Sequence, residues 1–81
     1  MVKWEIGALA ELCLSDAARR CGLDYRPLSR AALCACMSYT WPGGLEEMRT
    51  VMERALRHAR GWEIESWDLF LREEKSEAGP K

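Results

Sequence analysis

An all-α fold, a small irregular bundle of three main helices and a short C-terminal helix, is what this sequence predicts. Three observations lead there. Apolar residues recur three and four positions apart in three separate segments, the period of one helix face. Each segment ends at a strong breaker: Gly22, the Trp41-Pro42-Gly43-Gly44 run, and Gly61. The length of 81 residues allows one small domain, and such a chain buries only roughly 60% of its unfolded surface, so the core must be thin.

The first helix is expected over Glu5 to Cys21. Ile6, Leu9, Ala10, Cys13, Leu14, Ala17 and Cys21 make its apolar stripe. Arg19 and Arg20 suit its C-terminal end, where the helix dipole favours cations, and Gly22 stands ready as the left-handed residue beyond it. Trp4 precedes this helix and is expected to cover the end of the core. A connector follows over 23–27, because Pro27 holds Arg26 extended. Leu28-Ser29 starts the second helix: Ser29 is a good N-cap, and Leu28 is placed to staple onto Leu33. Leu33, Cys36 and Met37 are its expected buried stripe. The helix runs to about Tyr39.

The chain is organised around the turn that comes next. Pro42 fixes its own φ and pushes Trp41 out of the helical region, so the second helix must stop. Gly43 and Gly44 open backbone conformations closed to other residues. Trp41 is expected to plug the core between the helices on either side. The third helix is expected from Leu45 to about Ala59, with Leu45, Met48, Val51, Met52, Ala55, Leu56 and Ala59 apolar. Glu46 and Glu47 stand in its first turn and Arg57, His58 and Arg60 at its end, the charge order the dipole favours. After Gly61, Trp62-Glu63-Ile64 is expected to extend briefly. Ser66 should then cap a short helix over Trp67 to Leu71. Residues 1–71 make the expected domain, and 72–81 an expected disordered polar tail that lacks the apolar surface to order itself.

The same turn carries a resemblance. Trp41, Pro42, Gly43, Glu47, Val51, Glu53, Arg54 and Ala55 fall without a gap on the pattern Trp-Pro-Gly-Asn-Val-Arg-Glu-Leu followed by Val-Ile-Glu-Arg-Ala. That pattern resembles the helical lid of the AAA+ ATPases that activate sigma-54 RNA polymerase. Flanking segments agree. Glu5-Ile6-Gly7-Ala8-Leu9-Ala10 is similar to the family's Asp-Ile-Pro-Leu-Leu-Ala, and Leu28-Ser29-Arg30-Ala31-Ala32-Leu33 to its Leu-Ser-Pro-Glu-Ala-Leu. Ile64, Asp68 and Leu69 match Ile-Thr-x-Glu-Asp-Leu, while the Thr does not. The resemblance spans residues 4 to about 71, in the family's order and at its loop lengths.

Two positions depart from the family. Gly44 replaces its Asn, and Glu46 replaces its sensor II arginine. The resemblance implies an AAA+ lid whose nucleotide-proximal residues are Gly44, Glu46 and Arg49, with Trp41, Pro42 and Gly43 as the structural turn. In such ATPases the sensor arginine contacts the phosphates by charge-assisted hydrogen bonds. Glu46 would bring a carboxylate there instead. Arg49, one turn on, lies on a neighbouring face and would substitute only if the helix shifted. ATP and magnesium belong to the parent AAA+ protein and not to the isolated chain. The implied partners are the AAA+ core in cis and neighbouring subunits of a ring, in a bacterial cytoplasmic transcription regulator. An upstream phosphate loop and a Gly-Ala-Phe-Thr-Gly-Ala loop would accompany such a lid.

The remaining features exclude more than they assign. No phosphate loop, acidic strand end or Ser-His-Asp set is present, so the chain is not expected to be an enzyme. With 12 basic and 13 acidic residues the net charge is −1, which gives no general case for nucleic acid. A helix-turn-helix reading is disfavoured because the would-be recognition helix begins Gly44-Leu45-Glu46-Glu47. No apolar run reaches the roughly 18 residues of a membrane span, and no signal peptide is visible. Cys13, Cys21, Cys34 and Cys36 include no Cys-x-x-Cys pair; Cys34 and Cys36 would face different sides of a helix, and no metal site is expected. Trp4, Trp41, Trp62 and Trp67 are many for so small a domain. They leave open an alternative: a free-standing adaptor with the lid fold that binds another protein through an exposed tryptophan or a cysteine-bearing face.

Overall fold

The computed structural model describes residues 3–71, with side chains from Glu5 onward. The side chain of Trp4 and the expected tail 72–81 lie outside the described residues. The described residues form three helices, α1 over Lys3–Cys21, α2 over Arg30–Ser38 and α3 over Gly44–His58, followed by a 3-10 turn over Ser66–Asp68. Both α2 and α3 pack against α1 and against the 3-10 turn, and the α1–α3 contact is the most extensive.

α1 buries Ile6, Ala10, Cys13, Leu14 and Ala17 of its expected stripe, while Leu9 and Cys21 are half-buried. It starts two residues before the expected Glu5, so Trp4 belongs to its backbone rather than preceding it. Gly22 takes φ 66° just past its end, and the Leu23 N–H donates to the Ala18 carbonyl at 2.9 Å.

α2 starts from Ser29, whose hydroxyl accepts from the Ala32 N–H at 3.0 Å. Its buried residues are Ala32 and Cys36, while Leu33 and Met37 are half-buried. The expected Leu33–Cys36–Met37 stripe is therefore rotated. The small side chains face the core and bring the helix close to its neighbours, and Leu33 Cδ1 lies within 3.4 Å of where a Cβ on Gly7 would stand. Cys34 is exposed and Cys36 buried, on different sides as expected.

The connector before α2 is tied to the segment after α3. Leu28 and Ile64 form a parallel bridge. The Ser29 N–H donates to the Ile64 carbonyl at 2.9 Å, and the Ile64 N–H to the Pro27 carbonyl at 2.8 Å. Arg26 Nε adds a bond of 2.7 Å to the Gly61 carbonyl. The brief extension expected over Trp62–Ile64 is thus one bridge that ties the start of α2 to the segment after α3.

α3 buries Met48, Val51, Met52, Ala55 and Leu56, and Ala59 follows at its cap. Leu45, expected on this stripe, is 45% exposed. The chain's last part also differs from expectation. The helix expected over Trp67–Leu71 is a three-residue 3-10 turn, capped by Glu65 and not by Ser66. Glu65 and Asp68 satisfy each other's backbone in a capping box, with the Glu65 N–H 2.9 Å from Asp68 Oδ2. Phe70, at φ 51°, has left the helical region, so the turn goes no further. Among the described residues no helix is long and apolar enough to cross a membrane.

Candidate functional site

The turn between α2 and α3 is held from both sides. Trp41 is 3% exposed, and its indole N–H donates to the Cys36 carbonyl, near the end of α2, at 2.9 Å. The Tyr39 ring meets it edge to face, with centroids 4.8 Å apart. Trp41 has left the helical region as expected, but for the left-handed one, at φ 54°. Pro42 is exposed at the tip. Gly44 is left-handed as well, at φ 68°, and its N–H returns to the Trp41 carbonyl at 2.9 Å.

Gly43 is needed for a different reason from the one expected. Its φ of −87° is open to any residue. A Cβ there, however, would stand 2.8 Å from the Cβ of Glu47. Glu47 presses against the turn because its carboxylate ties it down. Oε1 accepts from the Gly43 N–H at 2.8 Å, and Oε2 from the Tyr39 hydroxyl at 2.5 Å. Sequence reasoning placed Glu47 on the family pattern, gave it no role beyond the dipole, and gave Tyr39 none. The usual capping box would not have pointed to it, since that box joins a cap to the residue three positions on, and Glu47 lies four from Gly43.

Glu46 is exposed on the outer side of α3, and its side chain has no hydrogen-bond or ion-pair partner among the described residues. Its carbonyl accepts from the Thr50 hydroxyl at 3.2 Å. Arg49, three residues on, points about 60° away around the helix axis. With Leu45 it lines a groove of about 280 Å³ whose other wall is Leu9, Leu12, Cys13, Asp16 and Arg19 of α1. The Asp16 carboxyl is held below its usual range by the hydrogen bond from Arg20, with Arg49 and Arg19 adding attraction. Burial pushes the Cys13 thiol up, against the pull of Arg49. Glu46 and Arg49 therefore share the first turns of α3 but not one direction.

The tryptophans divide sharply. Trp41 is core, whereas Trp62 is 92% and Trp67 73% exposed. Trp67 lines a shallow depression with His58, Arg60, Gly61, Glu65 and Asp68. Among the described residues no group of three or more His, Cys, Asp or Glu side chains could hold a metal ion.

Comparison with known proteins agrees with this geometry. A profile of the AAA+ ATPase lid domain matches residues 3–80. Nitrogen fixation protein AnfA of Azotobacter vinelandii is 37% identical over 65 residues, which are 80% of this chain and 12% of AnfA. NtrX from Brucella abortus, solved in complex with ADP, shares the fold with a TM-score of 0.75 at 24% identity, over 83% of this chain and 16% of NtrX. The chain thus spans a small part of either relative's length. Its three helices, its Trp-Pro-Gly turn and the profile match lead to one conclusion: this chain belongs to the AAA+ ATPase lid domain family, the family to which its resemblance to sigma-54 activator lids pointed.

Proposed function

We propose that the chain serves as the lid of a sigma-54 activator-like AAA+ transcription regulator, weakened at its sensor II position. The observation that carries this is Glu46, exposed and unpaired in the first turn of α3 of an AAA+ lid, where the activators' pattern has arginine. In the parent protein the lid packs beside the nucleotide, against the AAA+ core in cis and neighbouring subunits, in the bacterial cytoplasm. ATP and magnesium bind to that core, and the ADP complex of NtrX is in keeping with a nucleotide beside such a lid. The lid alone carries no phosphate loop and hydrolyses nothing.

The physical consequence lies in the charge at position 46. An arginine there donates to phosphate oxygens, and such a charge-assisted contact is worth about 1.5–3 kcal/mol. Glu46 removes the donors and adds like-charge repulsion. The N–H groups at the start of α3 do not make up the loss, because Gly43 donates to Glu47 and Gly44 to the Trp41 carbonyl. Arg49, turned toward α1, is not aimed to replace the arginine. The gene upstream of codon 1 tests this reading: it should encode a phosphate loop and a Gly-Ala-Phe-Thr-Gly-Ala loop, and a reading frame without either rejects it.

A second reading is favoured by Trp62 and Trp67, two large apolar side chains left in solvent. In it the chain is an adaptor that retains the lid fold and binds another protein with this patch. Trp62→Ala with Trp67→Ala should then abolish partner binding without lowering Tm. Binding that survives the double variant rejects the adaptor reading.

A further inference from the structure

We infer that Glu47, through its paired hold on Gly43 and Tyr39, is the positioning residue that fixes the direction of residue 46. The inference rests on the lid reading for its functional consequence, and on local geometry for the rest. The backbone enters α3 through two left-handed residues, Trp41 at φ 54° and Gly44 at φ 68°. Regular helical geometry therefore does not set the entry angle, and side chains must. Upstream, Trp41 is anchored in the core and bonded to the Cys36 carbonyl at 2.9 Å. Downstream, one carboxylate catches both the Gly43 N–H, at 2.8 Å, and the Tyr39 hydroxyl, at 2.5 Å. That carboxylate belongs to the residue next to position 46. A step of about 100° separates neighbouring side chains around a helix. With Glu47 drawn back onto the turn, position 46 is held pointing outward. Rotating the first turn of α3 would pull Glu47 off both partners at once.

Gly43 belongs to the same device. A Cβ there would stand 2.8 Å from the Glu47 Cβ and 3.1 Å from its Oε1, so any other residue displaces the carboxylate without deleting it. Glu47→Gln keeps an oxygen for Gly43 and an amide able to donate to the Tyr39 oxygen. Glu47→Ala keeps neither.

The test has one arm in the 81-residue chain and one in the complete AAA+ protein. In the chain, Glu47→Ala should speed amide exchange of Gly43 by about tenfold, the effect of one lost hydrogen bond. Amide shift changes should be confined to residues 39–47. Gly43→Ala should act in the same way, and Glu47→Gln should restore most of the protection. Unchanged exchange and shifts in Glu47→Ala overturn the inference. In the complete protein, Glu46→Arg should tighten ATP binding about tenfold or more. Glu46→Arg with Glu47→Ala should lose that gain, and Glu46→Arg with Glu47→Gln should keep it. A gain that survives Glu47→Ala overturns the positioning role and leaves the lid reading standing. If Glu46→Arg alone gives no gain, the nucleotide reading fails, and exchange in the chain decides the role of Glu47.

Discussion

Trp41 combines three costs that a surface residue would not bear: left-handed φ, complete burial, and a buried indole N–H that must be satisfied. The sequence marks it as a helix-ending core residue, because proline follows it. Its left-handed backbone was not legible, since residues before proline ordinarily go extended. The hydrogen bond to Cys36 and the packing of Tyr39 impose it. Trp41→Ala should cost about 3–5 kcal/mol, read as a fall in Tm. A melt within error of the wild type would take Trp41 out of the core. Gly44→Ala meets no steric neighbour, so its cost is that of the left-handed backbone alone, about 1–2 kcal/mol. Cys36 gives a pH signature. Burial pushes its thiol from 9.0 up to about 12. The folded state thus holds this proton more tightly than the unfolded one. Its contribution to stability is complete below about pH 9 and is lost as pH rises from there toward about 12. Cys36→Ala should flatten that loss in stability measured against pH.

At the scale of elements, periodicity carried most of the fold. α1 and α3 were legible because each presents a long stripe against the other, and Gly22 and Pro42 punctuate them. α2 was legible in extent but not in facing. Leu33 and Met37 look like core residues on any hydropathy scale, yet close packing against α1 favours the smaller Ala32 and Cys36. The C-terminal segment was misread for a local reason: the reciprocal bonds of Glu65 and Asp68 complete a single turn, and Phe70 turns out of it. The tie between Leu28 and Ile64 joins residues distant in sequence and leaves no local pattern to read. Of the site, Trp41, Pro42 and Gly43 were visible as a motif. Glu47 was missed because its partners lie four and eight residues back, outside the helix whose dipole already accounted for a carboxylate there. Ser29 tests the cap on α2. Ser29→Ala removes the acceptor for the Ala32 N–H and should cost about 1 kcal/mol in a denaturant titration, with an unchanged m-value.

At the scale of the chain, the family is the AAA+ lid domain, and the proposed function puts its consequences beside a core. Two measurements on the chain itself frame the claim. Chelator and reductant should leave its circular dichroism and Tm unchanged, because its helices rest on apolar packing and caps; loss of helicity with chelator would point to a metal. The chain alone should show no ATP hydrolysis above background, and turnover retained through purification would contradict the lid reading. The most direct measurement concerns position 46 in the complete AAA+ protein. ATP affinity and turnover should rise when Glu46→Arg restores a donor to the phosphates, and Arg49→Ala should change them little, because Arg49 faces the α1 groove. If Glu46→Arg has no effect while Arg49→Ala abolishes activity, Arg49 is the working sensor and the weakened-lid account is wrong.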